Sequence, residues 1–215
     1  MTLQERTTKL CMVRHGETAW NAEGRIQGQL DIPLSETGLA QARALAAVLE
    51  AERFDAIYSS DLARARQTAE PAARRLGLEV RLDAALRERH YGMFETLSYV
   101  EARERHPLEY ARFRDKDPEF DFVSGESLKR FAERSLACVA ALAARHAGGH
   151  LLVFTHGGVL EMVYRNATGR GLSTPRDFEI PNAALNRVEC SGTAWRARRW
   201  ADTSHLESAL DDLPG

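Results

Sequence analysis

The sequence contains little cysteine, no long apolar run and no excess of either charge. Three cysteines occur in 215 residues, and an odd number without a CxxC pair does not form a disulfide framework, which predicts a reducing compartment. Every apolar run is far shorter than a membrane-spanning helix, and residues 1–9 lack the apolar core of a signal peptide. We therefore expect a cytoplasmic protein without a membrane partner.

The balance of charges argues against another class of partner. The chain has 29 Lys and Arg residues against 31 Asp and Glu, whereas nucleic-acid-binding domains usually carry a basic excess. It is 44% apolar and 28% charged, as ordinary globular proteins are. A length of 215 residues suits one well-packed domain, and we assign residues 1–215 to it.

Strand-like and helix-like segments alternate along the chain. Short apolar runs predict strands at 10–13, 56–59, 80–82, 150–155, 184–190 and 195–201. Helical spacing predicts helices at 36–50, from a cap at Asp61 to about 75, at 126–147 and from Gly157 to about 168. This alternation predicts an α/β fold with three layers, α/β/α, around a mainly parallel sheet. Residues 93–123 are poorly periodic and predict a small helical or loop insertion that serves as a lid or specificity element.

The most informative motif begins where the first predicted strand ends. Arg14, His15 and Gly16 follow the apolar residues 10–13. Ligands bind at the carboxyl ends of strands in an open α/β sheet, and glycine lets the backbone turn sharply there. An imidazole beside a permanent cation suits chemistry on an anion, although these residues alone are equally consistent with an exposed His-Gly turn.

Three later segments occupy comparable positions. Arg64 falls in the first turn of a predicted helix, where a guanidinium and the helix dipole can share an anion. Glu88 lies in a turn between two arginines, and His156-Gly157 repeats the strand–His–Gly pattern after residues 150–155. Taken singly, these are a surface arginine, a salt-bridging glutamate and a hydrogen-bonded histidine. The repeated pattern argues against coincidence.

Taken together, these segments resemble the histidine phosphatase superfamily, the group that contains the cofactor-dependent phosphoglycerate mutases. The matching residues are Arg-His-Gly-Glu-Thr at 14–18, Ser-Asp-Leu-Ala-Arg at 60–64, Glu88 and Thr-His-Gly-Gly at 155–158. They occur in the order of the family and extend from residue 10 to about residue 188. The resemblance implies a phosphoglycerate mutase-like fold.

The resemblance also implies roles for individual residues. His15 is the implied nucleophile, which forms a phosphohistidine, and Glu88 is the implied proton donor and acceptor. A neutral imidazole is not repelled by a phosphate anion, and a hydrogen bond to a backbone carbonyl would fix its tautomer. The groups implied to bind phosphate or substrate are Arg14, Asn21, Gln27, Arg64, Arg89, Tyr91, a protonated His156 and Gly157.

No metal or other cofactor is expected for hydrolysis. The resemblance implies that the cationic pocket takes the place of a metal ion. The other histidines show no ligand spacing, and we expect them on the surface: His90, His106, His146, His150 and His205.

Such a pocket can hydrolyse a phosphoester or move phosphate between hydroxyls. The short chain, the segment at 59–68 and the motif spacing favour a phosphatase that acts on a small phosphorylated metabolite. Residues 88–92, Glu-Arg-His-Tyr-Gly, resemble the mutases, whose Arg and Tyr hold the substrate carboxylate. A phosphoglycerate mutase that depends on 2,3-bisphosphoglycerate is therefore the alternative, and an inactive phospholigand-binding protein is less favoured. The substrate and the oligomeric state stay open, with a homodimer as one option.

Overall fold

A central sheet between two layers of helices forms the core of the molecule. The structure is a computed structural model and describes residues 6–206. Its strands are β1 (Thr8–Arg14), β2 (Ala56–Ser59), β3 (Val80–Leu82), β4 (His150–Thr155), β5 (Leu185–Ser191) and β6 (Ala194–Asp202). They lie in the order β3-β2-β4-β1-β5-β6, with β1 to β4 parallel and β5 and β6 antiparallel to their neighbours. The mainly parallel sheet is confirmed.

Alternation of side chains across β1 explains the two helical layers. The helices are α1 (Ala19–Ala22), α2 (Glu36–Leu49), α3 (Ala63–Leu76), α4 (Tyr99–Arg105), α5 (Pro107–Arg114), α6 (Leu128–Arg145) and α7 (Gly157–Thr168). Leu10 and Met12 share a core with residues of α6 and α7, whereas Cys11 and Val13 share one with residues of α2 and α3. The predicted three-layer α/β/α fold is confirmed.

The start of helix α3 corrects one prediction. Asp61 does not cap this helix, because its N-cap residue is Leu62, which makes no side-chain capping bond. Asp61 instead accepts two hydrogen bonds from Arg87, at 2.7 and 2.5 Å. The N–H of Ala63 donates to the Asp31 carboxylate over 2.5 Å. A carboxylate from a distant loop therefore satisfies the first turn of α3.

The insertion predicted at about residues 93–123 has a small aromatic core of its own. A 3-10 turn at Gly92–Phe94 precedes α4 and α5, and an irregular segment then leads to α6. Phe94 and Phe122 are fully buried, and the Phe113 ring packs against both. The predicted mixture of short helices and loops is confirmed, and a lid role stays a prediction.

The remaining sequence expectations have mixed outcomes. All three cysteines are free and buried. Four of the five histidines expected on the surface are half-buried, and the expectation is wrong for His205, which is 8% exposed and lies 3.1 Å from the Ala183 carbonyl.

Between residues 6 and 206, no helix combines the length and apolarity needed to cross a bilayer. The single domain at 1–215 stays a prediction, and residues 1–5 and 207–215 of it lie outside the described part.

Candidate active site

Strand register brings the two strand–His–Gly motifs together. Arg14 at the end of β1 pairs with Thr155 at the end of β4, and the His15 N–H donates to the Thr155 carbonyl over 2.9 Å. The residues that follow, His15 and His156, therefore lie side by side with their ring centroids 5.2 Å apart. Both histidines are buried at the carboxyl edge of the parallel strands, where the sequence places the site.

A backbone carbonyl fixes the tautomer of His15. Its Nδ1 atom lies 2.7 Å from the Gly16 carbonyl oxygen, which can only accept a hydrogen bond, so Nδ1 carries the proton. The lone pair is then on Nε2. Burial and the charges of Arg64 and Arg14 hold the pKa of His15 well below its usual value. The imidazole is consequently neutral and nucleophilic at neutral pH.

Gly16 allows the chain to turn where α2 approaches. A Cβ atom at this residue would lie 2.7 Å from the Gly38 carbonyl oxygen, so no larger side chain fits without a shift. The Gly16 N–H donates to the Thr68 hydroxyl over 2.9 Å. Glu17 accepts a hydrogen bond from Ser35, the N-cap of α2. Thr18 caps the short helix α1. Glu17 and Thr18 thus shape the turn.

The guanidiniums of Arg64, which is buried, and of Arg14, which is half-buried, act on the imidazoles. Arg64, 1% exposed in the first turn of α3, donates to the carbonyls of Leu30 and Gly28, both at 2.7 Å. Arg14 donates to the Ile180 carbonyl over 2.6 Å. In the part of the chain that the structure describes, the Nε atoms of both arginines are buried without a hydrogen-bond partner. Burial lowers the pKa of Arg64 to about 10, so it keeps its charge at neutral pH.

His156 is neutral in the free protein, contrary to the expectation of a protonated ring. Burial, followed by the charges of Arg64 and Arg14, holds its pKa well below the usual value. Its Nε2 atom lies 2.8 Å from the Ser60 hydroxyl. Its Nδ1 atom is buried and has no partner within residues 6–206. A neutral imidazole still offers one N–H to an anion.

The Glu88 carboxylate lies at the start of helix α7. It accepts hydrogen bonds from the N–H groups of Arg89, at 2.8 Å, and Gly158, at 2.9 Å. Gly158 leaves room for this contact, because a Cβ atom there would lie 2.1 Å from the carboxylate. The Thr155 hydroxyl donates to the carbonyl of Leu86 and so ties the Glu88 turn to the end of β4.

The other residues predicted to bind phosphate are Gly157, Gln27 and Asn21, and the structure gives each of them different surroundings. Gly157 lies against Arg14, since a Cβ atom there would be 3.5 Å from Arg14 Nε. Gln27 is 8% exposed, and its side-chain oxygen is buried without a partner in the described structure. Asn21 is the third residue of α1, and its Oδ1 accepts hydrogen bonds from Thr18 and Asn182. Its Oδ1 is therefore committed to shaping the turn.

Arg89 and Tyr91, the mutase-like pair, line an adjacent cavity. Arg89 donates to the carbonyls of Phe120 and Glu126 at 2.9 and 2.8 Å, and its guanidinium lies 4.6 Å from the Phe122 ring centroid. Much of its donor capacity therefore holds the insertion to the rest of the molecule. The carboxylate-binding role implied by the resemblance stays a prediction.

That cavity has a volume of about 440 Å³ and begins at Gly158, beside Glu88. Its walls combine aromatic rings with several charged side chains. The charged residues in its lining are Arg89, Arg114, Lys116, Glu161 and Arg176. Such a space beside Gly158 can hold the part of a phosphoester that does not bind at the arginines.

Two residues of the site were not found by sequence reasoning. Asn182 donates to the His15 carbonyl over 2.9 Å, and the Ala183 N–H donates to the same oxygen and to the Arg14 carbonyl. Ser60 contacts His156. Asn182 lies in an irregular loop before β5, where no periodicity indicates a contact with β1. Ser60 was visible only as part of a motif, with no signal for its partner.

Comparison with known proteins assigns the chain to a family. Residues 10–203 match the histidine phosphatase superfamily (branch 1). The chain belongs to this superfamily. Similar proteins include a metal-independent phosphoserine phosphatase of Arabidopsis thaliana, 37% identical over 209 residues, which are 96% of this chain and 86% of the relative. Phosphoglycerate mutase-like protein 4 of the same plant is 38% identical over 203 residues, 93% and 87% of the two chains.

Among solved structures, the mycobacterial glucosyl-3-phosphoglycerate phosphatase superposes with a TM-score of 0.82 at 32% identity. The match covers 92% of this chain and 100% of that one. These similarities confirm the predicted superfamily and favour hydrolysis over the mutase reaction. This histidine phosphatase is an enzyme of the phosphatase type.

Proposed function

We propose that this histidine phosphatase hydrolyses phosphomonoesters in two steps, through a phosphohistidine on His15. One observation carries the proposal: the Gly16 carbonyl holds the proton on His15 Nδ1, so that the neutral Nε2 atom is free beside the charges of Arg64 and Arg14. A neutral nucleophile next to fixed cations suits attack on a phosphate dianion.

In the first step, His15 Nε2 forms a bond to phosphorus while the bond from phosphorus to the ester oxygen breaks. Arg14 and Arg64 balance the charge on the phosphoryl oxygens through their free N–H groups, and His156 donates one further hydrogen bond. Glu88, in its protonated form, gives its proton to the departing oxygen. The nearby phosphate dianion favours that form because two negative charges repel each other.

In the second step, Glu88 takes a proton from a water molecule, and the oxygen of that water attacks the phosphohistidine. The nitrogen–phosphorus bond breaks, inorganic phosphate leaves, and Glu88 is protonated again for the next cycle. The Glu88 carboxylate is hydrogen-bonded to the N–H of Gly158 at the start of α7, two residues after His156, and this position suits both transfers.

We propose that the reaction needs no metal or other cofactor. Two guanidiniums already supply the positive charge that a metal ion would contribute to the transition state. The similar plant enzyme is named as metal-independent. Within residues 6–206, no group of three or more His, Cys, Asp or Glu side chains is arranged to hold a metal.

We propose a small phosphorylated metabolite with a second anionic group as the substrate. The cavity beside Gly158 contains four cationic side chains and one carboxylate, so its lining favours an anion. Phosphoserine and glucosyl-3-phosphoglycerate, named for two similar phosphatases, both carry a carboxylate. A cytoplasmic location, and the absence of nucleic-acid and membrane partners, also stay proposals from the sequence.

The test measures hydrolysis of p-nitrophenyl phosphate in the presence of a metal chelator. We expect full activity with the chelator and none in His15→Ala. We also expect a covalent phosphoprotein that is trapped by rapid mixing and is labile to acid. Retained activity in His15→Ala would contradict the proposal.

A substrate panel separates the remaining alternatives. Interconversion of 3- and 2-phosphoglycerate that depends on 2,3-bisphosphoglycerate, without hydrolysis, would instead indicate a mutase. Tight binding of phosphate with neither activity would indicate a binding protein. Within the panel, phosphoesters with a carboxylate should show higher kcat/KM than matched esters without one.

A further inference from the structure

The hydroxyl of Ser60 contacts the second histidine of the site. Ser60 follows β2, and its N–H donates to the Phe154 carbonyl over 2.9 Å, which extends the pairing of β2 with β4 by one residue. This places the Ser60 hydroxyl 2.8 Å from His156 Nε2. Both side chains are fully buried, so water does not compete for the contact.

The hydrogen bonds around Ser60 decide which atom donates. A hydroxyl has one hydrogen and two lone pairs. The Leu62 N–H donates to the Ser60 oxygen at 3.3 Å and uses one lone pair. Among the described residues, the structure gives the Ser60 hydrogen no acceptor other than His156 Nε2. If His156 donated instead, this buried hydrogen and the lone pair on His156 Nδ1 would both lack a partner, whereas donation by Ser60 leaves one unpaired ring hydrogen, on Nδ1, that a bound anion can accept.

We propose that Ser60 is a positioning residue that holds the proton of neutral His156 on Nδ1. The Ser60 hydroxyl donates to Nε2, so the second ring nitrogen carries the hydrogen and is a donor. Nδ1 is buried and has no partner within residues 6–206. The arrangement gives the phosphoryl group a third N–H donor beside the two arginines. The inference rests on the proposed function, because the Nδ1–H donor has a role in the reaction only when a phosphoryl group is bound.

The opposite tautomer of His156 would oppose the binding of a phosphoryl group. A hydrogen on Nε2 would leave a lone pair on Nδ1, and two acceptors, the ring nitrogen and a phosphoryl oxygen, would then face each other. Burial is the largest reason that His156 does not gain a second proton in the free protein, and the charges of Arg64, Arg14 and Arg134 add to it.

The direct test is a nitrogen-15 NMR spectrum of the imidazole groups at pH 7.5, with and without inorganic phosphate. Two-bond couplings to the ring protons show which nitrogen is protonated, and loss of signals in His156→Gln assigns them. We expect His156 of the wild type to be protonated on Nδ1, and Ser60→Ala to populate the form protonated on Nε2. Ser60→Thr, which keeps a hydroxyl, should restore the wild-type pattern.

Enzyme kinetics measure how the loss of the Ser60 hydroxyl affects phosphate binding and catalysis. Ser60→Ala should weaken inhibition by inorganic phosphate and lower kcat/KM by about tenfold to a hundredfold, as for loss of a hydrogen bond to a charged group. Ser59→Ala is the matched control, because the Ser59 hydroxyl donates to the Ser60 carbonyl and does not contact His156. It should leave the tautomer unchanged.

Either of two results would overturn the inference: a wild-type His156 protonated on Nε2, or an unchanged tautomer in Ser60→Ala. The wild-type spectrum alone decides this even if a variant does not fold. Failure of the proposed function is a separate observation, because it shows itself as hydrolysis by His15→Ala and leaves the spectrum unaffected.

Discussion

At the scale of the residue, burial sets the charge of each group in the site. His15 and His156 are neutral because desolvation and nearby arginines oppose a second proton. Arg14 and Arg64 stay charged because the ordinary pKa of a guanidinium lies so high that burial does not neutralise it. The site therefore combines neutral nucleophilic rings with permanent cations, which suits a substrate that is itself an anion.

The neutral state of His15 predicts an unusual pH profile on the acid side. A histidine with an ordinary pKa of about 6.5 would lose its nucleophilic form below that pH. Because the pKa of His15 is lowered, the neutral form persists, and kcat/KM should stay level as the pH falls through 6.5. The measurement is a pH profile with p-nitrophenyl phosphate, corrected for ionisation of the substrate. A decline centred at or above pH 6.5 would contradict the assignment.

The close approach of Gly158 to the Glu88 carboxylate predicts that a larger residue at 158 lowers activity. In Gly158→Ala, the new Cβ would lie 2.1 Å from the Glu88 carboxylate and 2.9 Å from the Phe131 ring, so the carboxylate must move. We expect kcat/KM to fall by about a hundredfold for alkyl phosphates, which need a proton on the departing oxygen. The fall should be much smaller for p-nitrophenyl phosphate, whose leaving group needs little help.

The control for this variant is Gly171→Ala. A Cβ atom at Gly171 would lie 3.5 Å from the Thr174 hydroxyl, an ordinary contact, and both kcat/KM values should be retained. Equal losses on the two esters in Gly158→Ala would show a general distortion of the site and would remove the support for Glu88 as the acid.

At the scale of the element, the insertion is held to the main domain by a charged contact inside the cavity. The Lys116 ammonium, just after α5, donates to Glu161 of α7. Arg165, which is 1% exposed and lies one turn further along α7, donates to the same carboxylate oxygen at 2.8 Å. One carboxylate thus connects α7 with a segment that lines the cavity.

Removing the lysine should loosen this connection without unfolding the protein. An ion pair of this kind contributes on the order of 1 kcal/mol, so Lys116→Ala should speed hydrogen exchange of α5 about fivefold. Because Lys116 lines the cavity, KM for a carboxylate-bearing phosphoester should rise more than kcat changes. Lys129→Ala, which removes an exposed pair with Glu119, is the matched control. The same exchange rate in both variants would exclude the connection.

Individual elements show what the sequence could and could not predict. Strands β1 and β4 and helix α6 were predicted within a few residues, because their signals are local periodicity and capping residues. The start of α3 was not, because its acceptor is Asp31, whose approach depends on tertiary structure. The short helix α1 was missed, since four residues give no periodicity.

The residues of the site likewise fall into those that have a local signal in the sequence and those that have none. Arg14, His15 and His156 were found because strand ends and glycines mark them, and Arg64 because a helix begins there. The contacts of Ser60, Asn182 and Gly158 depend on which strands are neighbours and on how loops cross between them. A single sequence contains no local signal for such contacts.

At the scale of the whole molecule, a bound anion should stabilise the fold. The Nε atoms of Arg14 and Arg64 are buried without a hydrogen-bond partner among the described residues, so we expect inorganic phosphate to bind the folded state and not the unfolded chain. At a hundred times its Kd, a ligand adds about 2.7 kcal/mol to the free energy of unfolding. For a chain of this length, that is a rise in Tm of about 5–10 °C.

Thermal unfolding with increasing phosphate checks this expectation, with sodium chloride at matched ionic strength as the control. Arg64→Met, which lacks one cation, should show a smaller rise in Tm. An identical response to phosphate and chloride would mean that Arg14 and Arg64 do not form an anion site.

The pairing of Arg14 with Thr155 has a consequence for how this chain tolerates insertions and deletions. Side chains along a strand alternate between the two faces of the sheet, so one extra residue within β4 would turn His156 away from His15. Two extra residues would restore the face but move the ring by about 7 Å along the strand. The number of residues in β4 is therefore fixed as strictly as the identity of the histidine that follows it.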